Sequence, residues 1–319
     1  MSAPTMHDVA RYASVSIATV SRVINHPERV NVATRQRVQE AIEALGYQVN
    51  VTAQQLRLRQ PRPILVIISD ITYAPLAEAV QAFQKMATAQ DYAVVITIAN
   101  DIDLQQINSQ GYAGVFWATC QATTPPWEVT RGAFVQLDPD IYMTAAWEAT
   151  QYLARLGHRQ IGLMTHQLHD ACFKAWHVGY QEALQALGLI ALDPVVTAPE
   201  ALLDVLPEWL SSSDPAPSAL IASTDVLALS IYRAAKHIGL SIPEMLSVVG
   251  LGDTPMAAYL APPLTTIRLP SEQIGQAAFV QLRHQMSPAK PFEPLSTPVP
   301  HLTIRDSTTP PLQASASTS

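Results

Sequence analysis

Apolar positions along this chain follow two periods. Between Met6 and Leu45 they recur every three or four residues in short runs: Val9, Ala10 and Ala13, then Val20, Val23 and Ile24, then Val38, Ile42 and Leu45. Each run covers one helix face, so three short helices sharing one small core are predicted. From Ile64 onward, strand-like runs alternate with helical patterning. Ile64–Ile68 (ILVII) is apolar at every position, as a strand buried on both faces of a parallel sheet requires. A helix with Ala77, Val80, Phe83 and Met86 on one face follows, then strands at Tyr92–Ile98, Gly114–Trp117 and Ala133–Leu137. The alternation continues through a helix near Thr144–Leu156, a strand at Gln160–Met164, a helix through Gly179–Leu187 and a strand at Ala219–Ala222. A helix near Ala228–Ile238 and a strand at Leu246–Gly250 complete it. Strand–helix–strand repeats imply right-handed crossovers and an open, doubly wound α/β architecture.

The first helical stretch has the chemistry of a DNA reader. Thr5 stands before the first helix with Asp8 three residues on, a capping arrangement that also places negative charge at the positive end of the helix dipole. Ser14-Val15 makes a turn, and Ser16 opens a second helix as its N-cap. With Val20, Val23 and Ile24 inward, Ile17, Ala18, Ser21, Arg22 and Asn25 form the outward side. Its methyl-rich start suits thymine, Arg22 suits a guanine edge or a phosphate, and Thr19, Ser21 and Asn25 suit backbone oxygens. His7 and Arg11 lie on the outer face of the first helix. Any small helical protein can show two such helices, so the third matters: Asn31 caps it, it runs from about Val32 to Leu45, and Gly46 stops it.

Charge sharpens this reading. The chain carries a net charge of −7, but residues 1–60 hold seven Arg against four acids, a local +3 that leaves −10 for the rest. The positive end is the DNA end, and so modest a charge implies two copies per site, because each phosphate contact adds only a salt-sensitive increment. Cys120 and Cys172 show no paired spacing, which fits a reduced, cytoplasmic protein. The N-terminus lacks a basic region followed by a long apolar run, and no stretch reaches the roughly 18 residues of a bilayer span, so no membrane partner is expected. No G-x-G-x-x-G follows a strand, no phosphate-binding loop is present, and the nine His show no metal-ligand pairing, so an enzyme, a metal and a cofactor are not expected.

The runs DVARYASVSIATVSRVIN, VNVATRQRVQEAIEALGY and NVTAQQL closely resemble the N-terminal domain of the lactose-repressor (LacI) family of bacterial transcription regulators. LGHRQIG from Leu156, STDVLAL from Ser223, IPEMLSVVG from Ile242 and PPLTTI from Pro262 match that family's sensor module in order and spacing. The resemblance implies a helix-turn-helix headpiece over residues 1–48, a hinge helix and linker over 49–62, and a periplasmic-binding-protein-like sensor over 63–306. That sensor would have two doubly wound lobes, about 63–140 and 141–290, with crossovers near Asp138–Thr144, Leu264–Pro270 and His301–Arg305. The Ser/Thr/Pro-rich stretch 307–319 is expected to be disordered. It lacks leucine heptads, so a dimer rather than a coiled-coil tetramer is expected.

The implied function is a sequence-specific transcription regulator, a repressor rather than an activator by expectation, bound as a homodimer to a palindromic double-stranded operator. Candidate DNA contacts are Thr5, His7, Ser16, Ile17, Ala18, Thr19, Ser21, Arg22, Asn25 and Thr34, with Asn50, Ala53, Gln54 and Leu56 in the hinge. Leu56 stands where the family wedges a leucine into the minor groove, a step that costs about a few kcal/mol of unstacking and is offset by contacts to bent DNA. Val49 replaces the usual proline. Between Asp101 and Asp138 the chain is about twenty residues shorter than the family pattern, as if the helix after Gly114–Trp117 were replaced by the loop Gln121–Trp127.

The cleft between the lobes holds a small effector in this family, and here its polar anchors differ. Trp176 replaces an arginine, Thr224 an asparagine, Gly252 an aspartate and Leu269 a polar residue. A sugar whose hydroxyls find no partner loses about 1–3 kcal/mol for each. Trp176 and Leu269, with Tyr73 and Leu76, make the cleft more apolar, which leaves open an aromatic or hydrophobic ligand or a collapsed cleft with none. Asp70 and Asp225 remain as charged candidates, and Asp225 serves equally as a helix cap. ILVIISDI and SIATVSR resemble the cytidine-repressor branch, though the missing arginine and aspartate count against the same ligand. A partner-controlled or effector-independent DNA-binding factor with a degenerate cleft is the alternative.

Overall fold

The computed structural model describes residues 4–25, 29–45, 62–99, 111–119, 132–165, 171–213, 215–288 and 298–312. The chain divides into two compact units, one holding Met1–Arg62 and the other Pro63–Ile102 with Ala113–Ser319.

The first unit contains α1 (Met6–Tyr12), α2 (Ile17–Asn25) and α3 (Val32–Leu45). Val9, Ala10, Ala13, Val20, Val23, Val38 and Ala41 form its core. These are all small side chains, which lets the three short helices approach closely. Ala41 rather than Ile42 or Leu45 is the fully buried residue late in α3, so the buried stripe is turned slightly from the expected one.

The second unit contains two sheets. The first has strand order β2-β1-β3-β4 and is parallel throughout, with β1 (Ile64–Ile68), β2 (Val94–Ile98), β3 (Gly114–Ala118) and β4 (Ala133–Gln136). Every residue of β1 is buried, because β1 lies inside the sheet and both its faces are covered. α4 (Ala74–Thr88) follows β1 and buries Leu76, Ala79, Val80, Phe83 and Ala87. Phe83 stacks on Phe116 of β3 with ring centroids 4.8 Å apart.

The second sheet has order β10-β9-β8-β7-β5-β6. Its strands are β5 (Ile161–Thr165), β6 (Val195–Val196), β7 (Ala219–Ala222), β8 (Ser247–Leu251), β9 (Thr265–Arg268) and β10 (His301–Thr303). Only β10 runs antiparallel, pairing Leu302 with Ile267. The helices linking these strands are α5 (Asp140–Leu156), α6 (Ala171–Ala186), α7 (Leu202–Ser212) and α8 (Asp225–His237). α5 and α6 start well before the Thr144 and Gly179 of the sequence reading. α7 carries Pro207 in its interior, which masked its helical pattern. Gly179 lets α6 touch α5: a Cβ there would lie 2.1 Å from the Met143 carbonyl oxygen.

Three expectations are corrected. First, α9 (Ser271–Met286) does not belong to the C-lobe span 141–290. Phe279 meets Phe83 edge-on at 5.5 Å, Arg283 donates to Gln90 at 3.1 Å, and Gln285 accepts from the Phe134 N–H at 2.8 Å, so α9 covers the first sheet. Its apolar face needed a sheet to cover, and chain order does not say which. Second, His301–Thr303 is already a strand of the second sheet rather than a crossover. Third, Ser307–Thr309 are docked on the second sheet instead of disordered from Ser307. The Ser307 hydroxyl donates to the Val248 carbonyl at 2.6 Å and accepts from the Thr265 N–H at 2.8 Å, while Thr309 N–H donates to Ser247 Oγ at 3.0 Å. Its hydroxyls satisfy backbone groups of β8 and β9, a use that composition cannot reveal.

Candidate DNA interface and effector cleft

In the first unit each local hydrogen bond frees the outer surface of α2. Asp8 accepts from the Thr5 N–H at 2.9 Å and the Thr5 hydroxyl at 2.6 Å, and pairs with Arg11 at 3.1 Å. The Thr5 hydroxyl, then its backbone N–H, hold the Asp8 carboxyl below its ordinary value, with Arg11 adding to the effect. After α1 the chain turns at Ser14, whose φ of 52° is left-handed. The Val15 N–H reaches back to the Ala10 carbonyl at 3.0 Å. Ser16 then caps α2 by accepting from the Thr19 N–H at 3.1 Å, and its hydroxyl bonds Thr19 Oγ1 at 2.8 Å.

With Val20 and Val23 buried, Ile17, Ala18 and Arg22 are exposed, and Thr19 and Ser21 are half-buried beside them. Asn25 ends the helix. His7 is exposed on α1, and Thr34 donates its backbone N–H to the Asn31 cap at 2.8 Å. The structure therefore exposes Ser16, Ile17 and Ala18 at the start of α2 and Arg22 in its last turn, while Thr5 is committed to Asp8. Asn50, Ala53, Gln54 and Leu56 lie outside the described residues, as do Gly46, Cys120 and the loop 121–127.

In the second unit the cleft candidates fall into three groups. Thr224, Asp225 and Gly252 meet at the carboxyl ends of β7 and β8. Thr224, not Asp225, caps α8, accepting from the Leu227 N–H at 3.1 Å. Asp225 instead accepts three bonds: from Thr266 Oγ1 at 2.6 Å, from the Thr254 N–H at 2.7 Å and from Thr254 Oγ1 at 2.9 Å. Burial pushes its carboxyl up, and those bonds oppose the rise without cancelling it. Gly252 has φ of 131°, a backbone state that a side chain resists, so the aspartate usual in the family would be strained there.

Leu76, Trp176 and Leu269 are all buried in one apolar cluster drawn from both sheets. Asp70 and Tyr73 stand on the loop between β1 and α4, where Asp70 accepts from the Thr72 N–H at 2.7 Å and the Thr72 hydroxyl at 2.6 Å.

Sequence reasoning missed the partners of these groups. Asp253, also left-handed with φ of 48°, accepts from Arg305 at 2.6 Å and lies 3.6 Å from Arg268. Thr254, Thr266 and Arg305 lie 29, 41 and 52 positions from the carboxylates they serve. No local signal joins residues so far apart.

Comparison with known proteins agrees with this arrangement. Residues 5–50 match the model of the lacI family of bacterial regulatory proteins, and residues 150–308 match a periplasmic binding protein-like domain. The chain is 32% identical to the HTH-type transcriptional repressor CytR of Escherichia coli K12, covering 89% of this chain and 90% of the relative. It is 30% identical to catabolite control protein A of Priestia megaterium, covering 89% and 92%. Its fold matches a crystal structure of a lac repressor dimer bound to operator and the anti-inducer ONPF with a TM-score of 0.68 at 24% identity, covering 97% of this chain and all of that one. With a lacI-type headpiece on a periplasmic-binding-protein-like unit, and that identity over nearly nine-tenths of its length, this chain belongs to the lacI family of DNA-binding transcription regulators.

Proposed function

We propose that this protein is a homodimeric repressor whose two headpieces read the halves of a palindromic operator. The observation that carries this reading is the outer side of α2, where Ile17, Ala18 and Arg22 are exposed while Ser16 is used as the cap. A short helix with such an outer side can enter the major groove, with Arg22 meeting a guanine edge or phosphate and Ile17 and Ala18 meeting thymine methyls. Thr19, Ser21 and Asn25 hold phosphate oxygens, with His7, Ser16 and Thr34 at the flanks. Asn50, Ala53 and Gln54 position the hinge, and Leu56 opens the minor groove at the dyad.

Two copies are required because one headpiece carries so little net charge. α8 leaves Val226 and Leu229 exposed one turn apart, an apolar face of the kind a dimer contact uses. The lac repressor relative in complex with operator is itself a dimer. A small effector in the cleft would shift operator affinity by a coupling of about 1–3 kcal/mol. Its candidate surroundings are Asp70, Tyr73, Leu76, Trp176, Thr224, Asp225, Gly252 and Leu269. Action in the cytoplasm, where the operator is, belongs to the same reading.

Selection of bound fragments from genomic DNA tests the proposal. A recovered palindrome whose half-sites are centred about one helical turn apart supports it, as does sedimentation of the complex as two chains on one duplex. Recovery of no preferred sequence, or a single chain on DNA, overturns it. Leu56→Gly should abolish bending in gel mobility of permuted fragments; an unaltered bend rejects the wedge.

A further inference from the structure

A cavity of about 250 Å³ lies beside β4, at the edge of the first sheet. Three parts of the fold wall it. β3 and β4 supply Phe116 and Val135, α9 supplies Ile274 and Ala278, and the start of α5 supplies Ile141. Phe116, Val135 and Ala278 are buried, whereas Asp138 and Asp140, which also line the cavity, are exposed. The space is therefore apolar within and acidic at its solvent end. No residue named above as a cleft candidate is among its described lining.

The place of the cavity follows from the chain. β4 is the last strand on its side of the first sheet among the described residues, and it passes through Leu137–Pro139 straight into α5. The shortening between Asp101 and Asp138 falls just ahead of this turn.

Its charge is one-sided. Asp138 and Asp140 are the charged groups of the described lining, and neither forms an ion pair with a described residue. One oxygen of Asp138 accepts from the Asp140 N–H at 3.0 Å, and the Thr144 hydroxyl donates to the Asp140 carbonyl at 3.1 Å. These bonds leave the Asp140 carboxylate and the second Asp138 oxygen able to accept from an occupant. Asp140 also stands in the first turn of α5, where its charge answers the helix dipole. That accounts for one acid, but not for two beside an apolar cavity.

We propose that this cavity is a ligand site separate from the cleft and that it takes a small apolar monoamine. The ammonium group donates to Asp138 and Asp140, and the hydrocarbon lies against Phe116, Val135 and Ile274. A cation gains from both carboxylates, an anion is repelled by them, and a neutral hydroxyl forgoes the charge. The body is one ring in size, because the cavity is smaller than the roughly 300–1,000 Å³ of drug-sized pockets.

The test titrates the full-length protein with benzylamine and cyclohexylamine, followed by calorimetry and melting temperature, with benzyl alcohol and benzoate as controls of matching shape. At least one amine should bind saturably at millimolar concentration and raise the melting temperature. Both controls should bind about tenfold more weakly or not at all, the factor that one charge-assisted hydrogen bond carries. Asp138→Asn, which keeps an acceptor for the Asp140 N–H, should weaken the amine by a similar factor. Ala277→Phe, which puts a ring into the cavity from α9, should abolish binding. If that variant does not fold, Asp138→Asn combined with Asp140→Asn takes its place and should also abolish it. Benzyl alcohol binding as tightly as benzylamine overturns the ligand class. Amine binding that none of these substitutions weakens overturns the location, and no saturable binding of either amine overturns the site.

Discussion

The start of α2 and the carboxyl end of the second sheet both carry residues of recognition type, yet they spend them oppositely. In the first unit the polar bonds are local: Thr5 with Asp8, Ser16 with Thr19 and Asn31 with Thr34 are each three positions apart. Local caps consume the capping residues and leave Ile17, Ala18 and Arg22 outward. At the sheet end the bonds are long-range, and Asp225 and Asp253 are consumed by Thr254, Thr266 and Arg305. A charged residue in a cleft is therefore no measure of a polar site. Elsewhere in this unit, Trp176 Nε1, His177 Nε2 and Ser223 Oγ are buried polar atoms without a partner.

The sharpest way to break this contrast is Asp225→Ala, which strands two hydroxyls and one backbone N–H in a buried site. A stability loss of about 3 kcal/mol is expected in urea unfolding, with Asp225→Asn milder. A loss of a few tenths would mean the network does not hold the sheet end together. Next comes Arg22→Ala, expected to remove about 1–3 kcal/mol of discrimination between operator and scrambled duplex while leaving circular dichroism unchanged. An unchanged preference would remove Arg22 from base reading.

A smaller effect is expected from Ser16→Ala, which deletes the N-cap of α2. About 1 kcal/mol should be lost, visible as faster amide exchange in the first unit alone. Equal acceleration in β7 and β8 would show the two regions to be energetically joined.

The smallest concerns pH. The ring of His158 bonds Ser218 Oγ at 2.8 Å through Nδ1 and the Thr309 carbonyl at 2.9 Å through Nε2, so it links the docked terminal stretch to the second sheet. A carbonyl only accepts, so Nε2 carries the hydrogen and Nδ1 accepts from the serine hydroxyl. Burial lowers its pKa below the ordinary value of about 6.5, although the Thr309 bond opposes this. The neutral ring is thus the stabilised form: its contribution is complete above about pH 6.5 and declines as pH falls. His158→Gln should flatten melting temperature against pH in that acidic range; an unchanged slope would assign the acid sensitivity to other groups.

Legibility followed contact distance. Capping by Thr5, Ser16 and Asn31 was readable because cap and recipient are neighbours in sequence, and β1 was readable because five branched residues in a row fit few other places. α7 was not, since Pro207 interrupts its pattern. The placement of α9 on the first sheet, and the docking of Ser307–Thr309 along β8 and β9, were not either, because the surfaces they cover lie far away in the chain.

The sequence by itself determined the three-helix reader and the parallel α/β alternation. These depend on period, capping chemistry and side-chain type, all local properties. Only the tertiary structure decided that Asp225 is spent inside the protein, that Gly252 occupies a turn hostile to side chains, and that Trp176 and Ser223 are left unpaired. Such outcomes depend on which distant groups arrive at the same few ångströms, and a hydrogen bond is made or missed over less distance than a sequence pattern can resolve.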